Sequence, residues 1–181
     1  MKISFGIFTY PGNEEKAQKT IKSIESQNIT LYEIIVIGGS NVYKNTNLIH
    51  LEFDESIKKG WITKKRNIFF KEAKYEILVC MHDYLTLDAG WYKGLLKYGA
   101  NFDVLSNRIL KKNGERHYDW NLSRHNRNRF DKHILNTNQK LLPYDIAHLS
   151  KYMYISGAFF MLKKHVAKKY KFNESLAWQQ A

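Results

Sequence analysis

The feature that most constrains this chain is an alternation in its first hundred residues: short, continuous apolar runs break off in turn residues and are separated by segments of helical period. Lys2 to Phe8 is rich in β-formers and ends at Thr9-Tyr10-Pro11-Gly12-Asn13, a strand running into a loop. A helix follows: Glu14 and Glu15 suit its positive first turn, Asn13 is placed to cap it, and Ala17, Ile21 and Ile24 recur on one face. Leu31 to Ile37 then reads as a buried strand stopping at Gly38-Gly39-Ser40-Asn41. Leu48 to Phe53 is a further short strand, Thr63 to Ala73 a helix, and Glu76 to Met81 a second buried strand ending in His82-Asp83-Tyr84. Asp88 to Tyr98 has helical spacing and Phe102 to Ser106 is strand-like. Strands and helices in this order predict an α/β sandwich on a mostly parallel central sheet. Ligands of such sheets collect where the strands end, here at the loops 9–13, 38–41 and 82–84.

Beyond residue 106 the pattern changes. Asn113-Gly114 between two short runs is a hairpin signal, so the sheet is expected to gain an antiparallel addition. Residues 121–139 are polar and basic with no clear period and read as a long functional loop. Tyr152 to Lys163 is strand-like around a break at Ser156-Gly157, and His165 to Tyr170 is a short helix.

Composition bounds the functional classes. At 181 residues, with 44% hydrophobic and 14% aromatic residues, the chain has the means to bury one core and is read as a single domain rather than as disordered. No apolar run reaches the roughly 20 residues that span a bilayer. The chain enters a strand at once instead of passing through a basic and then an apolar leader, so a cytoplasmic location is expected. The single cysteine, Cys80, lies in an apolar run and fits a buried, inert thiol in a reducing compartment. Twenty-nine Lys and Arg against 17 Asp and Glu leave a net charge of +12, which favours an anionic ligand or surface. Four histidines, His117, His125, His133 and His148, lack the compact spacing of a zinc site. Tyr118, Trp120 and Phe130 interleave with Arg116, Arg124, Arg127 and Arg129, a mixture able to stack on a sugar or on bases. No nucleic-acid motif accompanies it, so nucleic acid is not the expected partner, although a basic nucleic-acid-binding module stands as an alternative.

Four segments in order, "ISFGIFTYPGN", "YEIIVIGGSN", "KKRNIFFKEAKYEILVCMHDY" and "ISGAFFMLKK" followed by "FNESLAWQQA", resemble family 2 of the GT-A-fold glycosyltransferases over essentially the whole chain. The resemblance implies a GT-A-like domain over 1–181, with a nucleotide-binding half at 1–106 and an acceptor-side half at 107–181. It implies transfer of a sugar from a nucleoside diphosphate sugar, a UDP-sugar foremost, to a hydroxyl acceptor on a glycan or lipid-linked molecule, with inversion; a non-catalytic nucleotide-sugar-binding remnant is the alternative. Contact of the basic face with anionic lipid would bring the protein to such acceptors.

Carried residue by residue, the resemblance gives base and ribose to Thr9, Tyr10 and Pro11 and to Gly38, Gly39 and Ser40. The family usually has an acid at the end of the second strand, and Gly38-Gly39 departs from it; two glycines admit a ring or phosphate close to backbone amides, or form an ordinary strand-ending turn. Arg66 and Asn67 match an Arg-Asn pair that contacts the nucleotide, whereas Lys64 and Lys65 read as solvated surface cations. His82-Asp83 stands where the family has an Asp-x-Asp motif, so Asp83, with His82 as a second ligand, would hold a divalent Mn or Mg on the diphosphate. Otherwise Asp83 caps the following turn. Gly157, Ala158 and Trp178 match the segment lining the donor sugar and acceptor. The general base is expected beyond Ala181, because Glu174 comes too early in the pattern and reads as a structural carboxylate.

Overall fold

A computed structural model describes residues 1–122 and 153–177 of the chain. The chain forms two compact units, one made of Met1–Leu105 with Met161–Ala181 and the other of Ser106–Phe160. Residues 161–177 therefore return to the first unit.

The first unit is built on a six-stranded sheet. Its strands are β1 (Lys2–Phe8), β2 (Leu31–Ile37), β3 (Leu48–Leu51), β4 (Ile77–His82), β5 (Val104–Leu105) and β8 (Phe159–Lys163), in the order β3-β2-β1-β4-β8-β5. β1 pairs in parallel with β2, Phe8 opposite Ile37, and with β4, Phe8 opposite His82; β2 pairs in parallel with β3. β5 and β8 are antiparallel, the expected addition. The registers bring the carboxyl ends of β1, β2 and β4 level, so their following loops open on one edge.

Helices α1 (Glu14–Glu25), α2 (Ile62–Glu72), α3 (Trp91–Tyr98) and α4 (Lys164–Lys169) complete this unit. Side chains of a strand alternate between faces, and β1 shows which helix takes which. A Cβ on Gly6 would lie 2.6 Å from the Phe69 ring of α2, and Phe8, two residues on, meets the same ring edge to face at 6.1 Å. Phe5, on the other face, packs on Trp91 of α3 at 6.0 Å. α1 joins that second layer: Gln27, just past its end, accepts the Tyr92 N–H and donates to the Asp88 carbonyl. The interior of the sheet, including Ile3, Phe5, Ile7, Ile34, Ile37, Leu78 and Met81, is fully buried. Cys80 is buried too, and burial pushes its thiol pKa up, as expected of an inert core thiol.

Several sequence expectations are corrected in detail. Asn13 makes no side-chain cap; its Oδ1 accepts from Lys16 Nζ at 2.9 Å instead. α3 begins at Trp91, three residues late, because Gly90 precedes it with φ +84°, a left-handed conformation that a helix cannot continue through. β5 is two residues long rather than five.

In the second unit, β6 (Trp120–Leu122) pairs antiparallel with β7 (Met153–Ile155). The Asn113-Gly114 hairpin reduces to a turn closed by Gly114 N–H on the Lys111 carbonyl and one bridge, Leu110 to Arg116. Asp119 explains why no longer ladder forms: fully buried, it takes the Ile109 N–H at 3.1 Å and Arg116 at 2.8 Å, drawing the flanking backbone to itself. Ser156-Gly157 breaks the distal strand as expected, separating β7 from β8. Most of the polar 121–139 segment lies outside the described residues, as do Arg124, Arg127, Arg129, Phe130, His125, His133 and His148. No helix among the described residues is long and apolar enough to cross a membrane.

Candidate functional site

The site is assembled from the backbone of β1 outward. Thr9 N–H continues the ladder to the Ile37 carbonyl at 3.1 Å, which fixes the first residue of the 9–13 loop against β2. Thr9 Oγ1 donates to Asp83 Oδ2 at 2.8 Å, fixing it against the loop after β4. The Asp83 carbonyl in turn accepts from Thr20 Oγ1 of α1 at 2.8 Å. Glu14 Oε1 accepts from Gly12 N–H at 3.2 Å and Ser40 N–H at 3.3 Å, tying the loops after β1 and β2 together. Thr9 and Asp83 are buried, Tyr10 and Gly39 half-buried, and Pro11 and Ser40 exposed.

Gly38 is required for a reason unlike the one anticipated. Its φ is +87°, and a Cβ there would lie 2.5 Å from the Thr9 carbonyl oxygen, 2.7 Å from Lys65 Nζ and 3.1 Å from Glu55 Oε1. Its N–H donates to the Leu51 carbonyl and its carbonyl meets His50 Nε2 at 3.0 Å. Both backbone groups are thus used inside the protein, and the missing side chain makes room for a charged pair rather than for a phosphate. Gly39 is less crowded, with Thr9 Cγ2 at 3.0 Å from its added Cβ.

Lys65 is the residue that sequence reasoning missed. Expected at the surface, it is fully buried on α2. Its ammonium donates to the Thr9 carbonyl at 2.6 Å, pairs with Glu55 Oε1, and lies 3.9 Å from the Tyr10 ring centroid and 4.9 Å from that of Phe53. Helical phase contained the signal. Lys65 falls three residues after Ile62 and four before Phe69, both buried, so it stands in the apolar stripe of its helix. Burial lowers its pKa, and Glu55 and Asp83 oppose that shift. Glu55, in the loop before α2, was also missed; nothing in its local sequence marks it.

Arg66 is buried, its guanidinium 4.9 Å from the Phe172 ring centroid, and its charge is felt by Tyr10, Cys80, His82 and Tyr84. Asn67 faces elsewhere. Its Nδ2 donates to the Phe172 carbonyl and to Glu174 Oε1, both at 2.9 Å, and its Oδ1 accepts the Phe172 N–H at 2.9 Å. The amide is committed to the segment after α4, whose carbonyls at Glu174 and Leu176 also accept from Trp61 and Thr63. Lys64 joins this clasp through Glu174 Oε2 at 2.8 Å, so Glu174 is the structural carboxylate it was read to be.

Asp83 and His82 do not converge. His82 is opposite Phe8 on the face that α2 covers, with its ring edge to face on Tyr84 at 5.3 Å. Asp83, the next residue, turns to Thr9. Burial, then the charges of Arg66 and Lys65, push the His82 pKa down to about 3, so the imidazole is neutral. Two cations at its side make a poor place for a third. Burial raises the Asp83 pKa, while the Thr9 and Asn13 hydrogen bonds and the charges of Lys16 and Lys65 restrain that rise. Partial burial, then the charges of Glu55 and Asp83, push the Tyr10 pKa up to about 12, and it stays a phenol. Among the described residues no three His, Cys, Asp or Glu gather into a metal site. A lone carboxylate such as Asp83 is a donor suited to a hard cation that takes its remaining oxygens from phosphate and water.

Gly157 and Ala158 lie in the second unit, where Ala158 N–H donates to Ser156 Oγ at 3.2 Å; Trp178 lies outside the described residues.

No family model matches the chain, and no curated protein does. Solved structures do. TarS residues 1–349 from S. aureus superposes with a TM-score of 0.64 at 17% identity, covering 99% of this chain and 52% of that one. The same protein in complex with UDP gives 0.63 at 17% identity over 99% and 52%. A mannosyltransferase from Pyrobaculum calidifontis, in complex with GDP-Man and Mn2+, gives 0.58 at 11% identity over 97% and 48%. The chain spans about half the length of these structures. At such identities the likeness establishes the fold, which is the GT-A type implied by the sequence resemblance: a mostly parallel α/β sheet with antiparallel strands added.

Proposed function

We propose that this chain binds a nucleoside diphosphate sugar, most specifically a UDP-sugar, at the carboxyl edge of its sheet and serves transfer of the sugar to a hydroxyl acceptor with inversion. The observation that carries this reading is the convergence at Thr9, whose backbone joins β2 and whose hydroxyl reaches Asp83 beyond β4. Three strand tips therefore form one floor, the place where open α/β sheets take ligands.

In this reading Tyr10 and Pro11, with Gly39 and Ser40, hold base and ribose, and the buried Thr9 serves them from below; the half-buried Tyr10 ring gives a base a face to stack on. Gly38 contributes by leaving room beneath them. The cationic Arg66 favours the diphosphate, and a guanidinium suits phosphate geometry. Asp83 would hold a divalent Mn or Mg on the phosphates, and that cation would neutralise charge developing on the leaving diphosphate. Thr9 holds the Asp83 carboxylate in one orientation by its hydroxyl. Asn67 belongs to the clasp on the 172–176 segment, and His82 to the packing beneath α2. Gly157, Ala158 and Trp178 are proposed to line the sugar and acceptor; the acceptor is a glycan or a lipid-linked molecule met at an anionic membrane surface.

Titration calorimetry with UDP and GDP, each with and without Mn2+, tests the donor site. Binding that tightens with Mn2+ in the native chain and loses that dependence in Asp83→Asn is the expected result. No binding of either nucleotide removes the reading, and binding with hydrolysis of a UDP-sugar distinguishes an active transferase from a nucleotide-sugar-binding remnant.

A further inference from the structure

We propose that Lys65 is a positioning residue for the donor site, a buried cation that sets the three strand tips in register with one another; this rests on the donor-site reading above. A lysine with no exposed surface keeps its charge only where fixed partners replace water. Lys65 has them from separate parts of the chain: the Thr9 carbonyl at the end of β1, the Glu55 carboxylate before α2, and the ring faces of Tyr10 and Phe53. The end of β2 is shaped around the same atom, since Gly38 has no Cβ where one would stand 2.7 Å from Nζ. The end of β4 is reached through Thr9, whose hydroxyl holds Asp83. One ammonium thus fixes Thr9 from its carbonyl side while Asp83 is fixed from its hydroxyl side, and Tyr10 is held flat by the charge beneath it.

Lys65 itself has no surface to offer a ligand, and neither has Thr9, so its effect on binding runs through the Tyr10 ring it lies against and, by way of Thr9, through Asp83. Preorganised groups bind more tightly because less order is lost on association.

The experiment separates holding the fold from holding the site. Lys65→Met strands the Glu55 carboxylate and is expected to melt well below the native chain. Lys65→Met/Glu55→Leu removes both charges, and replacing a buried pair with apolar groups is often neutral or stabilising; its melting point is expected to return to the native value. UDP affinity is nevertheless expected to stay down by about tenfold or more in the double variant. Amide NMR signals of Thr9, Tyr10 and Gly39 shift while those of Phe172 and Leu176 remain. A double variant that recovers native UDP affinity along with native stability overturns the proposal and leaves the donor site standing. A native chain that binds no nucleotide takes down both.

Discussion

Four consecutive residues, Lys64 to Asn67, do two different jobs, and comparing them shows what a helix can hide. Lys65 and Arg66 turn into the sheet edge, where both are buried against aromatic rings and Lys65 also pairs with Glu55. Lys64 and Asn67 turn outward and clasp the 172–176 segment. Successive residues of a helix are about 100° apart, so neighbours in sequence need not share surroundings. The edge concentrates charge on buried side chains, and the Lys65 charge there depends on its partners. The clasp spreads ordinary hydrogen bonds over half-exposed groups, and its single losses are small.

That contrast is open to test in order of effect. The largest change is expected from Gly38→Ala, which forces a side chain into a left-handed backbone position against the Thr9 carbonyl and the Lys65 ammonium. Chemical denaturation should register a loss of about 3 kcal/mol or more, with UDP binding abolished. A variant of native stability would mean that the edge is not the rigid floor described.

Acid is next. The folded state holds His82 neutral down to about pH 3, whereas the unfolded chain protonates near the ordinary histidine value. The unfolded state therefore binds the extra proton between those values, and stability falls as pH drops through that window, by up to about 1.4 kcal/mol per pH unit. His82→Phe should flatten this slope. An unchanged slope in that variant would assign the acid sensitivity elsewhere.

Asn67→Ala removes three hydrogen bonds of the clasp and is expected to cost about 2 kcal/mol. Hydrogen exchange at the Phe172 amide should accelerate while UDP affinity stays native. Should UDP affinity fall instead, Asn67 belongs to the edge and the division between the two regions fails. Lys64→Ala comes last: both partners of its ion pair with Glu174 are more than a third exposed or close to it, and about 0.5 kcal/mol is expected by denaturation.

The same contrast explains what the sequence made legible. The strands were readable because β1, β2 and β4 are rich in apolar β-formers, are buried over most of their length and stop at turn residues. The three loops meet at one edge because parallel pairing leaves no other place for them. That topology places the loops that carry Thr9 and Asp83; the two residues themselves are named from the family resemblance. Lys65 was legible only in the phase of its helix, and Glu55 not at all, because a charged residue is expected at the surface unless its partner is known, and theirs come from ten residues away and from backbone beyond. Asn67 reads as a ligand contact from the family's Arg-Asn pair, and its partner in the structure, 105 positions later in the chain, is out of reach of local sequence reasoning. The Asn113-Gly114 hairpin forms in shortened form, with one antiparallel bridge, because Asp119 on its second arm takes the Ile109 N–H and Arg116.

The return of the chain to the first unit has a consequence for synthesis. β5 is complete at Leu105, but its pairing partners, Met161 and Leu162, emerge more than fifty residues later; at about 5–20 residues per second the ribosome takes several seconds to deliver them. Through that interval β4 has an open flank on the side that β8 will occupy, and Asn67 waits still longer for Phe172. The nascent protein therefore passes through a stage with its floor laid and one wall missing, when a chaperone or a second nascent chain has its best access to the sheet.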